Sequence, residues 1–207
     1  MDPLRSCALA AADVLEASRD ELCRLDAGAG DADHGVTMAL AARAVRMSLA
    51  DSPDVSGADL VICLAVAMGS VGGASGPLYA AALIAAARVM RRQDSHGAAS
   101  IALVREGFEA AEAAIAGLGH ARPGDKTMLD ALHPAVLSLQ QGADDSIPAA
   151  LNKAAAAARA GAESTASMTA RVGRAARLGE RSRGTADPGA TSVALMLEAV
   201  AEAASSS

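Results

Sequence analysis

Asp59-Leu-Val-Ile-Cys-Leu-Ala-Val-Ala-Met-Gly69, followed by Ser70-Val-Gly-Gly-Ala-Ser-Gly-Pro77, decides between two folds. An apolar run entering a glycine-rich turn reads either as a buried strand of a nucleotide-binding βαβ unit or as a buried helix entering a helix-to-helix connection, and periodicity alone does not separate them. The glycines are spaced G-x-x-G-G-x-x-G rather than G-x-G-x-x-G, and no acidic residue follows about 20 positions on in a second strand. The dinucleotide fingerprint is therefore absent, and the stretch is read as helix. No charge occurs from Leu60 to Ala87, yet the same glycines divide that span into two apolar runs, each roughly half of the ~20 residues a bilayer requires. Two buried helices joined by a glycine turn fit, and a membrane span does not.

Composition agrees with an all-α chain. Of 207 residues 52% are hydrophobic, but there is one Tyr, one Phe and no Trp, so the core is built from Ala, Leu, Val, Ile and Met. Alanine is the best helix former, and the β-branched and aromatic residues that favour strands are sparse. The length suits one domain, taken as 1–207. A formal net charge of -6 argues against nucleic acid as a main partner, because phosphate contacts need clustered Lys and Arg. Cys7, Cys23 and Cys63 are odd in number and widely spaced, which indicates neither a disulfide framework nor a zinc cluster. With no signal-peptide pattern at the N-terminus, a cytoplasmic location is expected.

Gly, Pro, Asp and Ser punctuation separates eight Ala-rich helical segments, expected over 2–24, 35–50, 56–70, 75–92, 98–118, 126–141, 147–170 and 187–204. Ser56 and Asp125 are candidate caps, Pro148 suits a first turn, and Asp187-Pro188 forms a start of its own.

The connections carry the chemistry. Leu25-Asp-Ala-Gly-Ala-Gly-Asp-Ala-Asp-His-Gly35 concentrates Asp26, Asp31 and Asp33 with little nearby to neutralise them. Three carboxylates in a glycine-spaced loop ask for a hard, oxygen-preferring cation. The residue at the twelfth position counted from Asp31 is Ala42, so an EF-hand is rejected, whereas Mg²⁺ with coordination positions left for phosphate oxygens suits the set. A solvated Asp-Gly turn in which Asp31 or Asp33 caps the next helix remains an equal alternative at this point. The turn 70–77 could bring backbone N–H groups to an anion, or could simply join two helices. Gly119-His-Ala-Arg-Pro-Gly-Asp-Lys-Thr-Met-Leu-Asp130 narrowly misses a P-loop, because Asp125 separates Gly124 from Lys126; Asp125 is read as a helix cap and Lys126 as solvated. If the preceding helix continues, Arg171, Arg174, Arg177 and Arg181 share a face that could meet phosphate or an acidic partner. His96, His120 and His133 show no metal-ligand spacing.

Taken together, Gly-Asp-Ala-Asp-His-Gly at 30–35, Gly-Gly-Ala-Ser-Gly-Pro at 72–77, Pro-Gly-Asp-Lys-Thr-Met at 123–128 and Gly-Glu-Arg-Ser with Asp-Pro-Gly-Ala-Thr-Ser between 179 and 192 resemble the nucleotide-binding L subunit of dihydroxyacetone kinase. The resemblance implies a barrel of eight antiparallel helices with ADP or ATP and two Mg²⁺ ions in the loops at one end. By matching position, Asp26, Asp31 and Asp33 would hold Mg²⁺. His34, Gly35 and Thr37 would meet the phosphates at a helix start, and Ala74 and Ser75 from the glycine turn. Gly119 and Met128 would border the adenosine, while Arg174, Asp187 and Pro188 would complete the pocket, Arg174 as the catalytic side chain. Three departures from the family pattern bear on nucleotide contacts or partner fit: Thr37 where Asn is common, Arg177 where an aromatic is common, and Thr185 where His often occurs.

In phosphotransferase-linked members of the family, ADP stays bound as a coenzyme, takes phosphate from a phosphohistidine protein (the M subunit) and passes it to dihydroxyacetone on a separate K subunit. The resemblance therefore implies those two partners, and a homodimer is compatible with it. Two other readings stay open: an ATP-exchanging L subunit for another short ketose or tetrose, and a non-catalytic nucleotide-binding helical module.

Overall fold

The computed structural model describes residues 2–28, 30–93, 100–142 and 145–206. His96 and the first residues of the helix expected over 98–118 lie outside them. Among the described residues there are nine α-helices and no strand: α1 Pro3–Ala17, α2 Arg19–Ala27, α3 His34–Asp51, α4 Gly57–Gly69, α5 Ser75–Gln93, α6 Ile101–Gly119, α7 Leu129–Gln141, α8 Ile147–Ser164 and α9 Pro188–Ser205. The deciding stretch 59–69 is thus helix, in α4.

Three boundaries differ from expectation, each for a local reason. The helix expected over 2–24 breaks at Ser18, whose backbone departs from helical geometry while its N–H closes α1 on the carbonyls of Val14 and Glu16. The helix expected from 126 starts at Leu129. Asp125 does not cap it: its carboxylate accepts the Arg122 N–H at 3.0 Å, and Asp130 instead accepts the N–H groups of Gly124 and Thr127 at 2.5 and 2.7 Å. The helix expected to reach 170 ends at Ser164, followed by short 3-10 segments at Thr165–Ser167 and Arg174–Ser182 with left-handed glycines at 173 and 179. The arginine stripe 171–181 is therefore interrupted: Gly173 parts Arg171 from it and Gly179 parts Arg181, leaving Arg174 and Arg177 in one 3-10 stretch. The start at Asp187 is as expected: its carboxylate accepts the Ala190 N–H at 2.7 Å, with Pro188 in the first turn.

Packing follows chain order and then closes. α1 lies against α3, each of α3 to α8 lies against the next, and α9 returns to α1, giving a closed cycle of eight helices; α2 is an additional short helix against α3 and α9. Fully buried alanines such as Ala41, Ala42, Ala131, Ala135, Ala158, Ala190 and Ala194 let these helices approach closely around a core of Leu22, Met38, Leu60, Leu129 and Leu139. When neighbouring helices alternate in direction, every second connection falls at the same end. The segments following α2, α4, α6 and α8 are the four that carry the sequence motifs.

Lys126 ties that end together. It is 4% exposed rather than solvated, and its ammonium donates to the carbonyls of Thr165 and Thr185 at 2.8 and 2.7 Å. One side chain thus joins the α6–α7 loop to both ends of the segment leading into α9. Lys126→Met should lower stability by about 3 kcal/mol in urea unfolding, because it leaves buried carbonyls without their donor.

Candidate functional site

The metal question turns on how the α2–α3 loop folds. Asp26 ends α2 and is buried, and its Oδ2 accepts the N–H groups of Asp33 and His34 at 3.0 and 3.2 Å, which draws the loop back over the carboxylate. Gly30 permits this, since a Cβ there would stand 2.0 Å from Asp26 Oδ1. Ala32 takes a left-handed φ of 61°, a conformation that costs a non-glycine residue of order 1–2 kcal/mol. The loop so held brings one carboxylate oxygen from each of Asp26, Asp31 and Asp33 within 4.8 Å of one another, with Asp31 and Asp33 exposed.

This donor set is all oxygen and suits a hard cation such as Mg²⁺. The protein already directs a cation there: Arg174 pairs with Asp31, and its guanidinium lies 3.5 Å from Asp33. Arg174 beside it holds the Asp31 carboxyl below its ordinary range, while partial desolvation and then the neighbouring Asp31 push Asp33 up.

His34, at the start of α3, is buried between α5 and α9. Its Nδ1 lies 3.4 Å from the Ser75 hydroxyl in the glycine turn, and its Nε2 lies 3.1 Å from the Ser192 hydroxyl. Gly35 packs on α2, and the Thr37 N–H donates to the Asp33 carbonyl at 2.9 Å. Met128 is buried beside Gly189 at the start of α9. Thr185 reaches Gly28 at the end of α2. Gly119 ends α6 beside Leu78 of α5. Ala74 is exposed in the glycine turn. The expected residues thus gather at one end of the helix cycle, while Arg177 and His120 are exposed near it and His133 pairs with Glu112 at 2.6 Å between α6 and α7.

Asp187 is partly exposed as a residue, yet desolvation pushes its carboxyl up to about 7. A carboxyl whose folded value is raised stabilises the fold fully below its unfolded value and loses that contribution as pH rises through the folded one. Stability should therefore fall between pH 3.8 and about 7. In Asp187→Asn, which keeps a competent cap, this part of the slope should vanish; urea midpoints across the range would show it.

Sequence reading missed Lys126, Asp130, Tyr79 and Ser192. Ser192 ends a recognised motif and Tyr79 is the chain's single tyrosine, but nothing local indicates that the Tyr79 hydroxyl meets the Ser192 hydroxyl at 2.9 Å.

A family model described as the DAK2 domain matches residues 28–202. The chain is 38% identical to the ADP-binding subunit DhaL of the PEP-dependent dihydroxyacetone kinase of Escherichia coli, over 93% of its own length and 91% of that subunit. It is 43% identical to L-erythrulose 1-kinase of Mycolicibacterium smegmatis over 88% of its length, but spans only 32% of that enzyme. The crystal structure of the dihydroxyacetone kinase of C. freundii superposes with a TM-score of 0.75 at 30% identity, covering 98% of this chain and 34% of that one. The same enzyme in complex with AMP-PNP and Mg²⁺ superposes with a TM-score of 0.73.

Proposed function

Because this chain belongs to the DAK2 domain family, whose members named above are kinases or kinase subunits, we propose that residues 1–207 form the nucleotide-binding subunit of a dihydroxyacetone kinase. It would present ADP to a phosphohistidine donor protein of the phosphotransferase type, and then present the ATP so formed to dihydroxyacetone on a separate K subunit. The observation that carries the reading is the convergence of Asp26, Asp31 and Asp33 with Arg174 beside the start of α3. Three free cysteines and the absence, among the described residues, of any helix long and apolar enough to cross a membrane accord with a cytoplasmic location.

In this reading Asp26, Asp31 and Asp33 hold Mg²⁺. Two such ions held there would supply positive charge to offset the charge that phosphoryl transfer concentrates on the phosphates. His34, Gly35, Thr37, Ala74 and Ser75 border the phosphates, Gly119 and Met128 border the nucleoside, and Asp187 and Pro188 complete the pocket. Arg174 is the catalytic side chain. Its guanidinium rests on two exposed aspartates that would be claimed by the metal, and is then free to meet phosphate oxygens instead. No side-chain nucleophile is required, because the terminal phosphate of ADP is the acceptor, and the protein contributes position and charge.

A second reading is favoured by the identity to erythrulose kinases: the same site would exchange ATP and serve a K-like unit that binds a four-carbon ketose. Extraction of the nucleotide from purified protein, followed by exposure to a labelled phosphohistidine carrier, separates the two. Tightly held ADP that becomes labelled ATP supports the first. A nucleotide-free protein that ignores the carrier and requires added ATP supports the second.

A further inference from the structure

Tyr79 and Ser192 are both buried, lie on α5 and α9, and touch none of the aspartates in the contacts described above. Their hydroxyls form a chain ending on the His34 ring. Ser192 Oγ lies 2.9 Å from the Gly189 carbonyl, an acceptor only, so the serine proton is directed there. Its two remaining lone pairs face the Tyr79 hydroxyl at 2.9 Å and His34 Nε2 at 3.1 Å. Burial and a neighbouring negative charge keep the Tyr79 phenol protonated, so it donates. The hydrogen-bond count then closes only if Nε2 also donates. With the proton on the α9 side, Nδ1 is left for the Ser75 hydroxyl at 3.4 Å.

We propose that Ser192 and Tyr79 are positioning residues that keep the His34 proton on Nε2, so that Nδ1 accepts from the Ser75 hydroxyl at the phosphate end of the site. The functional part of this assignment rests on the nucleotide reading above. An arriving phosphate oxygen would compete with Nδ1 for the Ser75 proton, which requires one hydroxyl rotation and leaves the ring in place. A ring of the other tautomer would direct an N–H at Ser75 and make that hydroxyl an acceptor, with its proton turned elsewhere.

The ring assignment is measurable without nucleotide. Long-range ¹H–¹⁵N spectra at mildly alkaline pH distinguish the two neutral tautomers, and the chain's four histidines allow His34 to be identified by the signals lost in His34→Gln. The wild-type ring should be the Nε2–H tautomer. Ser192→Ala should shift His34 toward a tautomer mixture and weaken Mg·ADP binding about tenfold, the lower end of what removal of a partner orienting a site histidine costs, and Tyr79→Phe, one bond further from the ring, should weaken it by less. A wild-type Nδ1–H tautomer, or an unchanged tautomer in a folded Ser192→Ala variant, would overturn the assignment. The wild-type spectrum decides the tautomer even where a variant fails to fold. If wild-type protein shows Nε2–H but binds no nucleotide, the functional reading falls and the ring assignment stands.

Discussion

Asp26→Ala should lower Mg²⁺-dependent ADP affinity by about a hundredfold or more. Of the three carboxylates, Asp26 is the buried one, and it alone both faces the cluster and accepts two backbone N–H groups of the loop that carries the others. Alanine removes a metal ligand together with the support that places Asp33. Loss of an orienting group alone costs metal sites 10- to 100-fold, so loss of ligand and support together should lie at or beyond the top of that range. Asp26→Asn tests the division of labour. Its amide oxygen can still accept from the loop, so the fold should be largely retained while the charge that favours Mg²⁺ is gone. Calorimetric titration of Mg·ADP into both variants, beside their thermal melts, would check this: both should bind poorly, but only the alanine variant should also lose about 1–2 kcal/mol of stability.

Gly35→Ala should be the most damaging substitution to the fold. A Cβ at residue 35 would stand 1.9 Å from the Arg19 carbonyl oxygen and 2.8 Å from the Cys23 amide nitrogen, two backbone atoms one turn apart on α2. Neither can rotate aside. The added methyl must drive α2 away from α3, which overpacks a contact formed by backbone and should cost about 3 kcal/mol or more. At about 2–4 °C per kcal/mol for a chain of this size, the melting temperature should fall by roughly 10 °C. Because the last turn of α2 carries Asp26, Mg·ADP affinity should fall with it.

The parts of this molecule legible in its sequence were those encoded locally. Ala-rich segments with glycine and proline breaks placed the helices, and the glycine spacing at 69–76 sufficed to prefer helix over strand for α4. The aspartate loop was legible because all three carboxylates fall within eight residues. The misreadings were long-range. Lys126 reads as an exposed helix-start lysine until the carbonyls of Thr165 and Thr185, about 40 and 60 residues on, are seen to surround it. Arg171, Arg174, Arg177 and Arg181 have helical spacing, but Gly173 and Gly179 take left-handed conformations and break the face. What the spacing suggested as a surface stripe is a segment folded back so that Arg174 reaches Asp31 and Asp33. The cap read at Asp125 is supplied by Asp130 for a similar reason, since only the turn geometry selects Asp130 for the N–H groups of Gly124 and Thr127.

In the proposed function the carboxylate cluster binds nucleotide through a metal rather than acting on substrate as acid or base. Calorimetric titration of ADP into nucleotide-free wild-type protein, once with Mg²⁺ and once with a chelator, tests it most directly. Binding with Mg²⁺ that weakens by about a hundredfold or more in the chelator is the predicted result, since negative phosphates would otherwise face three carboxylates that, among the described residues, Arg174 alone pairs with. ADP binding of equal affinity under both conditions would contradict it.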